Sequence, residues 1–412
     1  METNINRIMN DIDTITSYNQ TPGKGFTRFS YSEEDRMARK YLIEEMERLG
    51  LTVKIDSVGN IRGRLEGVDN NAKPILVGSH IDTVLHGGKF DGLLGVVCAL
   101  EVVRVIKENN AVHKNPIEVI VFSEEEGSNF GSTMAGSKAM VGKYNLKDLN
   151  TIKNDEGKSM FDLAKGFGLN PEKVSDCIVR SGDIKAMLEI HIEQGVVLDY
   201  EGISIGVVER IAGIKWVRVY LKGLGNHAGA TPMHLRKDPL VAASKIISEL
   251  DRFTREKANK TTVCTVGRIN CSPNVSNAIP ETISFTVDIR DVEQSAISLV
   301  FNQLNKLVLE ISEENRLESD ILVLGEADAI KLSEKIVSNI EEATKELGIK
   351  YKKMNSGAAH DSSLFGDIAD VGMIFVPSIN GRSHVPEENT LIEDIKIGCD
   401  VLLKTIIKIS NE

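Results

Sequence analysis

Histidine, aspartate and glutamate recur in this chain directly behind short apolar runs, and these are the residue types that bind divalent cations and move protons. Residues 78–97 read GSHIDTVLHGGKFDGLLGVV. His80 and Asp82 follow the run Pro74-Ile75-Leu76-Val77; two positions apart on extended backbone, they point to the same side. A carboxylate so placed can hold the second nitrogen of an imidazole and fix the tautomer a metal needs. Gly87-Gly88 and Asp91-Gly92 allow a tight turn that brings Asp91 back towards His80. Glu124-Glu125-Glu126 follow the apolar run 117–122, His191 follows 186–190, and His384 lies in the loop 377–386. Each piece alone has a plainer reading, a His-Asp hydrogen bond in a glycine-rich loop or an acidic triplet at the surface. Together His80, Asp91, Glu126, His191 and His384 are a ligand mixture for a pair of divalent ions with one carboxylate shared. Such a pair, roughly 3.5 to 4 Å apart, makes a bridging water a hydroxide near neutral pH. Glu125, beside Glu126, is placed to take the proton.

Those residues need a frame that brings four strand ends together. The apolar run before Gly78 reads as a buried parallel strand, and open α/β sheets carry ligands at the carboxyl ends of such strands. Ser32 starts a helix that stops at Gly50, with Met37, Tyr41, Leu42, Met46 and Leu49 on one stripe. A second helix is expected over 93–108 and strands over 117–122 and 186–190. Near Ile211 the character changes. A strand over 215–221, a helix over 238–253, strands over 261–269 and 282–290, a helix over 294–311 and a strand over 320–324 give the order β-α-β-β-α-β of a compact α+β insertion. A helix over 331–347, strands over 352–354 and 372–376, and a last helix from Ile392 complete the first half. The expected domains are therefore 1–210 with 328–412, and 211–327.

At 412 residues, two domains are the default. A 41% hydrophobic and 26% charged composition describes a globular protein, and a net charge of -11 argues against nucleic acid or an anionic membrane as the main partner. Small molecules remain. The five cysteines, Cys98, Cys177, Cys264, Cys271 and Cys399, form no CxxC pair and point to reduced thiols in the cytoplasm. The amino terminus reads as a surface helix rather than a signal peptide, and no run is long enough to span a membrane.

The motifs GSHIDTV with GGKFDG, SEEEG, HIEQG, NHAGATPM, the stretch Asn277-Ala278-Ile279-Pro280 before DIR, and PSINGRSH resemble, in order and over nearly the whole chain, the dinuclear-metal amidohydrolases that include N-carbamoyl-L-amino acid hydrolase, allantoate amidohydrolase and β-ureidopropionase. These are a branch of the aminopeptidase-like exopeptidase superfamily. The resemblance implies an α/β catalytic domain with an inserted ferredoxin-like lid and dimerisation domain. It implies two divalent ions, zinc or manganese with cobalt or nickel as alternatives, bridged by Asp91, with His80 and His191 on one and Glu126 and His384 on the other. Glu125 would be the general base and Asp82 the residue that orients His80. His227 would stabilise the oxyanion, often in the neighbouring subunit of a homodimer, and Arg290 would clamp the substrate carboxylate, a task suited to a guanidinium fork. Asn277, Gln194, Gly357, Ala358 and His360 match substrate-contact positions. Ala359 and Ser362 depart from the usual Gly-Ala-Gly-His-Asp-Ala loop, which leaves the pocket's shape and polarity open.

The expected reaction is hydrolysis of the ureido group of an N-carbamoyl-L-amino acid, with allantoate as the alternative substrate. A peptidase of the same superfamily would use the same ions, but HIEQG and NHAGATPM resemble the ureido-acting branch. A scaffold on a degenerate hydrolase fold would have lost ligands, whereas every expected ligand and the base are present.

Overall fold

The computed structural model describes residues 1–69 and 71–412 and divides into two compact units. The first comprises Met1–Glu209, Leu332–Met354 and His360–Glu412, and the second Arg210–Lys331 and Asn355–Ala359. The second thus includes the loop 355–359, which the expected boundaries left in the catalytic half. Within that unit the loop is tied down by the Ala212 N–H donating to Ser356 O at 2.9 Å and Arg290 Nη1 donating to Gly357 O at 3.2 Å.

The first unit is built on strands Ile117–Phe122, Ile75–His80, Ala186–Ile192 and Asp370–Val376, parallel and adjacent in that order. Every residue of the first three is buried, as expected of strands covered on both faces. His80 is opposite Phe122 and Ile192 opposite Val376, so the carboxyl ends finish level along one edge. Two strands run further than the apolar pattern indicates: one continues through Gly78 to His80, the other through His191 to Ile192. Both histidines therefore start from ladder positions rather than from loops, which fixes their Cα atoms more tightly. Helix Leu93–Glu108 buries every residue from Leu93 to Ile106, packing on the central strands and against helices Ile5–Ser17 and Ile392–Asn411. Helix Glu33–Arg48 begins where the Ser32 side chain accepts the Asp35 N–H at 3.1 Å. Asp35 holds Arg39 at 2.8 Å, and Arg39 Nη2 donates to Ser123 Oγ at 2.9 Å. The loop that carries the three glutamates is thereby fastened to a helix far from it in sequence.

In the second unit an antiparallel sheet runs Ile269–Ser272, Thr282–Asp291, Gly213–Lys222, Glu318–Ala327, with Val263–Thr265 also paired to Thr282–Asp291. The single strand expected over 261–269 is two pieces; between them Arg268 O accepts the Thr286 N–H at 3.0 Å. Helices Pro239–Lys257 and Gln294–Asn315 cover one face, onto which Val217, Val219, Leu221, Phe285, Val287 and Ile289 project. The alternate residues Trp216, Arg218 and Tyr220 are exposed on the other face. Asn226–His227 and Ala278–Ile279 pair as a short separate ribbon.

Candidate metal centre

The loops that follow the four parallel strands bring imidazoles and carboxylates together around Asp91. His80 Nδ1 lies 3.0 Å from the main-chain oxygen of Asp82, and His191 Nδ1 lies 2.8 Å from that of Ile192. A carbonyl oxygen only accepts, so both rings carry a proton on Nδ1, which leaves Nε2 as the nitrogen that a metal would take. Asp91 Oδ1 is 3.0 Å from His191 Nε2 and 3.9 Å from His80 Nε2. Its other oxygen, Oδ2, is 2.9 Å from His384 Nε2, and His384 Nε2 is in turn 3.5 Å from Glu126 Oε1. Each oxygen of one buried carboxylate thus faces a separate set, His80 with His191 and Glu126 with His384. Gly92, at φ +65°, is required for this approach: a Cβ there would lie 2.4 Å from the His80 ring.

The donor set fits divalent cations, and so does its electrostatics. Burial first, and then the Asp91 charge, pushes Glu126 well above the usual carboxylate range, and its Oε1 is buried without a hydrogen-bond partner. Burial, then the charges of Glu126, Asp361, Asp82 and Asp91, does the same to Glu125. Burial alone would raise Asp91, but hydrogen bonds with His191 and His384 hold it well below. Such a crowd of acids with an orphaned oxygen is what a site for bound cations looks like to its own protons.

Asp82 takes a different part from the one its spacing suggests. Its carbonyl, not its carboxylate, holds His80; the carboxylate stands 3.7 Å from Nδ1 and accepts the N–H groups of Glu125 at 3.2 Å and Glu126 at 3.0 Å. The three glutamates also divide. Glu124, at φ +50°, turns inward, and its Oε1 accepts the Asn129 N–H at 3.1 Å and the Phe130 N–H at 3.2 Å, closing the loop on itself. Glu125 Oε2 reaches to 3.8 Å from His80 Nε2. Gln194 donates to Asp91 Oδ2 at 3.1 Å, while its Oε1 is buried without a partner. His360 is buried edge-on against the His191 ring, centroids 4.6 Å apart, and burial followed by the His191 charge keeps it well below its usual pKa. Ser362 is fully buried with its N–H donating to Glu189 at 3.2 Å, so its hydroxyl lies in the interior beneath the sheet ends.

None of the sequence motifs marks Glu388. Its Oε1 accepts the N–H groups of Phe90 at 2.8 Å and Asp91 at 3.0 Å, and its Oε2 accepts Ser383 Oγ at 3.0 Å. One carboxylate therefore ties the Asp91 loop to the His384 loop, and Gly88 makes room for it, since a Cβ there would lie 2.1 Å from the carboxyl carbon. The only available signal was an acid four residues after His384.

In the second unit, His227 Nδ1 accepts the N–H groups of Gly229 and Ala230, each at 3.1 Å, which leaves the ring's proton on Nε2 as an outward donor. Asn277 O accepts the Ala228 N–H at 3.0 Å on the same ribbon. Arg290 pairs side-on with Asp288, Nε to Oδ1 at 2.9 Å and Nη2 to Oδ2 at 3.0 Å, and donates from Nη1 to Gly357 O. One N–H on each terminal nitrogen remains, an end-on fork. Ala358 is held by Ser356, whose Oγ accepts the Ala358 N–H at 3.1 Å.

The metal-free protein is expected to lose stability as pH rises. Burial and the Asp91 charge push Glu388 from 4.5 up to about 7, and burial with Asp82 pushes Glu124 from 4.5 to about 8. Between 4.5 and those values the folded state holds protons that the unfolded chain has released, so stability falls with rising pH. His191 adds to the trend: burial opposes, but its bond to Asp91 raises it from 6.5 to about 9, so its contribution is also lost as pH climbs through that window. Thermal melts in chelator should give a lower Tm at pH 8.5 than at pH 5.5. A Tm that rises over that range would mean these acids are not protonated in the folded chain.

The family description "Peptidase family M20/M25/M40" matches residues 76–408. The chain is 41% identical over 404 residues to N-carbamoyl-L-amino-acid amidohydrolase of Pseudomonas sp. (strain NS671), covering 98% of this chain and 97% of that protein. It is 35% identical to allantoate amidohydrolase of Bacillus subtilis (strain 168), covering 98% of each. A crystal structure of an amidase of the hydantoinase/carbamoylase family from Burkholderia multivorans superposes with a TM-score of 0.89 at 30% identity, covering 100% of this chain and 99% of that one. With a family match across most of its length and relatives of this identity along nearly all of it, the chain belongs to peptidase family M20/M25/M40.

Proposed function

We propose that this protein is a metal-dependent amidohydrolase that removes the carbamoyl group of an N-carbamoyl-L-amino acid, releasing ammonia, carbon dioxide and the amino acid. The observation that carries the reading is Asp91, whose two oxygens face two separate ligand sets with Glu125 alongside. The amidohydrolase names of the relatives supply the bond type. His80, Asp91 and His191 would hold one divalent ion and Asp91, Glu126 and His384 a second, with zinc or manganese the first choices and cobalt or nickel next. Bound there, such ions supply Lewis acidity and make water a nucleophile at neutral pH.

The residues of the chain do the rest. Glu125 accepts the proton of the attacking water and returns it to the leaving nitrogen. His227 donates from Nε2 to the developing oxyanion, its tautomer set by Gly229 and Ala230. Arg290 presents its end-on fork to the substrate carboxylate, with Asn277, Gly357 and Ala358 as neighbouring contacts in its unit. Gln194 and His360 set the orientation of Asp91 and His191 and so act on the ligands more than on the substrate. Asp82 fixes the glutamate loop by its main-chain bonds. The second unit as lid and dimerisation domain of a homodimer, and the cytoplasm as compartment, belong to the same proposal. The compartment is supported by the five cysteines, all free.

The test is ammonia release by protein reconstituted with manganese and separately with zinc, on N-carbamoyl-L-amino acids, N-carbamoyl-β-alanine, allantoate and dipeptides. Ammonia from N-carbamoyl-L-amino acids, abolished by chelator and restored by metal, is the expected result. Allantoate as the preferred substrate would move the protein to the alternative that the Bacillus relative represents. Cleavage of dipeptides alone would overturn the ureido assignment.

A further inference from the structure

The open face of the sheet in the second unit holds a cavity of about 520 Å³ lined by Trp216, Arg218, Arg268, Thr286, Asp288 and Arg290 among others. The strand register explains why these side chains meet. Thr286 is opposite Arg218 on one side and hydrogen-bonded through its N–H to Arg268 O on the other, and Asp288 is opposite Trp216. Three guanidinium groups thus share the cavity with one carboxylate, in a chain whose net charge is -11. That carboxylate, Asp288, is already occupied side-on by Arg290. Among the described residues neither Arg218 nor Arg268 has an ion-pair or hydrogen-bond partner for its side chain. Trp216, 44% exposed, adds an apolar wall beside them.

Two cationic positions result, at different places along one strand. Arg290 leans over Asp288 to make its pair, which puts its guanidinium two residues from Thr286, about 7 Å along extended backbone. Arg218 and Arg268 flank Thr286 from the two neighbouring segments. An anion held on the Arg290 fork would therefore leave the second position a few ångströms away, within reach of another anionic group of the same small molecule. A cavity of this volume is of ordinary size for such a ligand.

We infer that this cavity reads a second carboxylate, and that the protein selects the N-carbamoyl derivative of an acidic L-amino acid, with the α-carboxylate on Arg290 and the side-chain carboxylate between Arg218 and Arg268. The inference rests on the proposed ureido hydrolysis and names its substrate class. Allantoate, with a single carboxylate, would leave the second position empty.

The discriminating pair is N-carbamoyl-L-glutamate and its neutral isostere N-carbamoyl-L-glutamine, assayed with the full-length, metal-reconstituted protein. The kcat/KM ratio is expected to favour the glutamate derivative by about tenfold or more, as for a charge-assisted bond, and to shrink as ionic strength rises. In Arg218→Gln and in Arg268→Gln the ratio should fall by about tenfold, through KM of the acidic substrate, with Arg218→Lys recovering part of it. Turnover of both substrates with a ratio near one, or a ratio unmoved in both variants, would overturn the assignment of the cavity and leave the ureido reaction standing. No ammonia from any ureido substrate would overturn the reaction and the cavity's role with it.

Discussion

Glu125→Gln is expected to keep its metal and lose roughly a hundred- to ten-thousand-fold in kcat, the range for removing a positioned general base. The substitution changes little else. Glutamine has the same shape, and the backbone N–H of residue 125 still donates to Asp82. What disappears is the only function a carboxylate has there that an amide lacks, accepting a proton and giving it back. The metal-free variant should melt no lower than the parent, because Glu125 sits buried among Glu126, Asp361, Asp82 and Asp91, whose charges work against its ionised form. Elemental analysis, single-turnover ammonia release and thermal melts separate the outcomes. Near-normal turnover at full metal content would remove Glu125 from the role of base. Lost metal would make it a ligand, which its 3.8 Å separation from His80 Nε2 renders a real alternative to test.

How much of this was legible before folding depends on how local the cause is. His80, His191 and the three glutamates stand behind apolar runs that can only be buried strands, so their arrival at one sheet edge follows from burial and the parallel register. The ends of those strands were less legible: the ladder carries His80 and His191 past the point where the apolar pattern stops, since a polar side chain at a sheet's end keeps its backbone bonds. Which glutamate does what was not legible at all. The left-handed turn at Glu124 breaks the alternation that spacing assumes, and sends that side chain into the loop while Glu125 and Glu126 face the site. Asp82 shows the same limit, because a side chain and a carbonyl of one residue compete for one histidine, and the sequence records only the side chain. Glu388 lies 298 positions from the Phe90 N–H it accepts, and no pattern shorter than the fold connects them.

Asp91→Ala should abolish activity and empty both ligand sets, and Asp91→Asn should distinguish them. The parent carboxylate uses Oδ1 towards His80 and His191 and Oδ2 towards His384 and Glu126. Asparagine keeps one acceptor oxygen and gains two donors. Placed at Oδ2, its amide nitrogen can no longer accept from Gln194 Nε2, but the buried, unpartnered oxygens Glu126 Oε1 and Gln194 Oε1 belong to that side, while its oxygen then stays with the two histidines. The variant should therefore retain metal on the His80–His191 set, with affinity lowered by the lost charge, and lose it from the Glu126–His384 set. The metal-free stability should also drop in both variants, since the hydrogen bond that His191 donates to Asp91, which raises His191 to about 9, is weakened or gone. Metal content by mass spectrometry, with Glu126→Gln and His80→Asn as reference variants for the two sets, reads the pattern directly. Asp91→Asn that binds as much metal as the parent and turns over ureido substrate at the parental rate would show that the two sets do not depend on a shared carboxylate, and the geometry around Asp91 would need a different explanation.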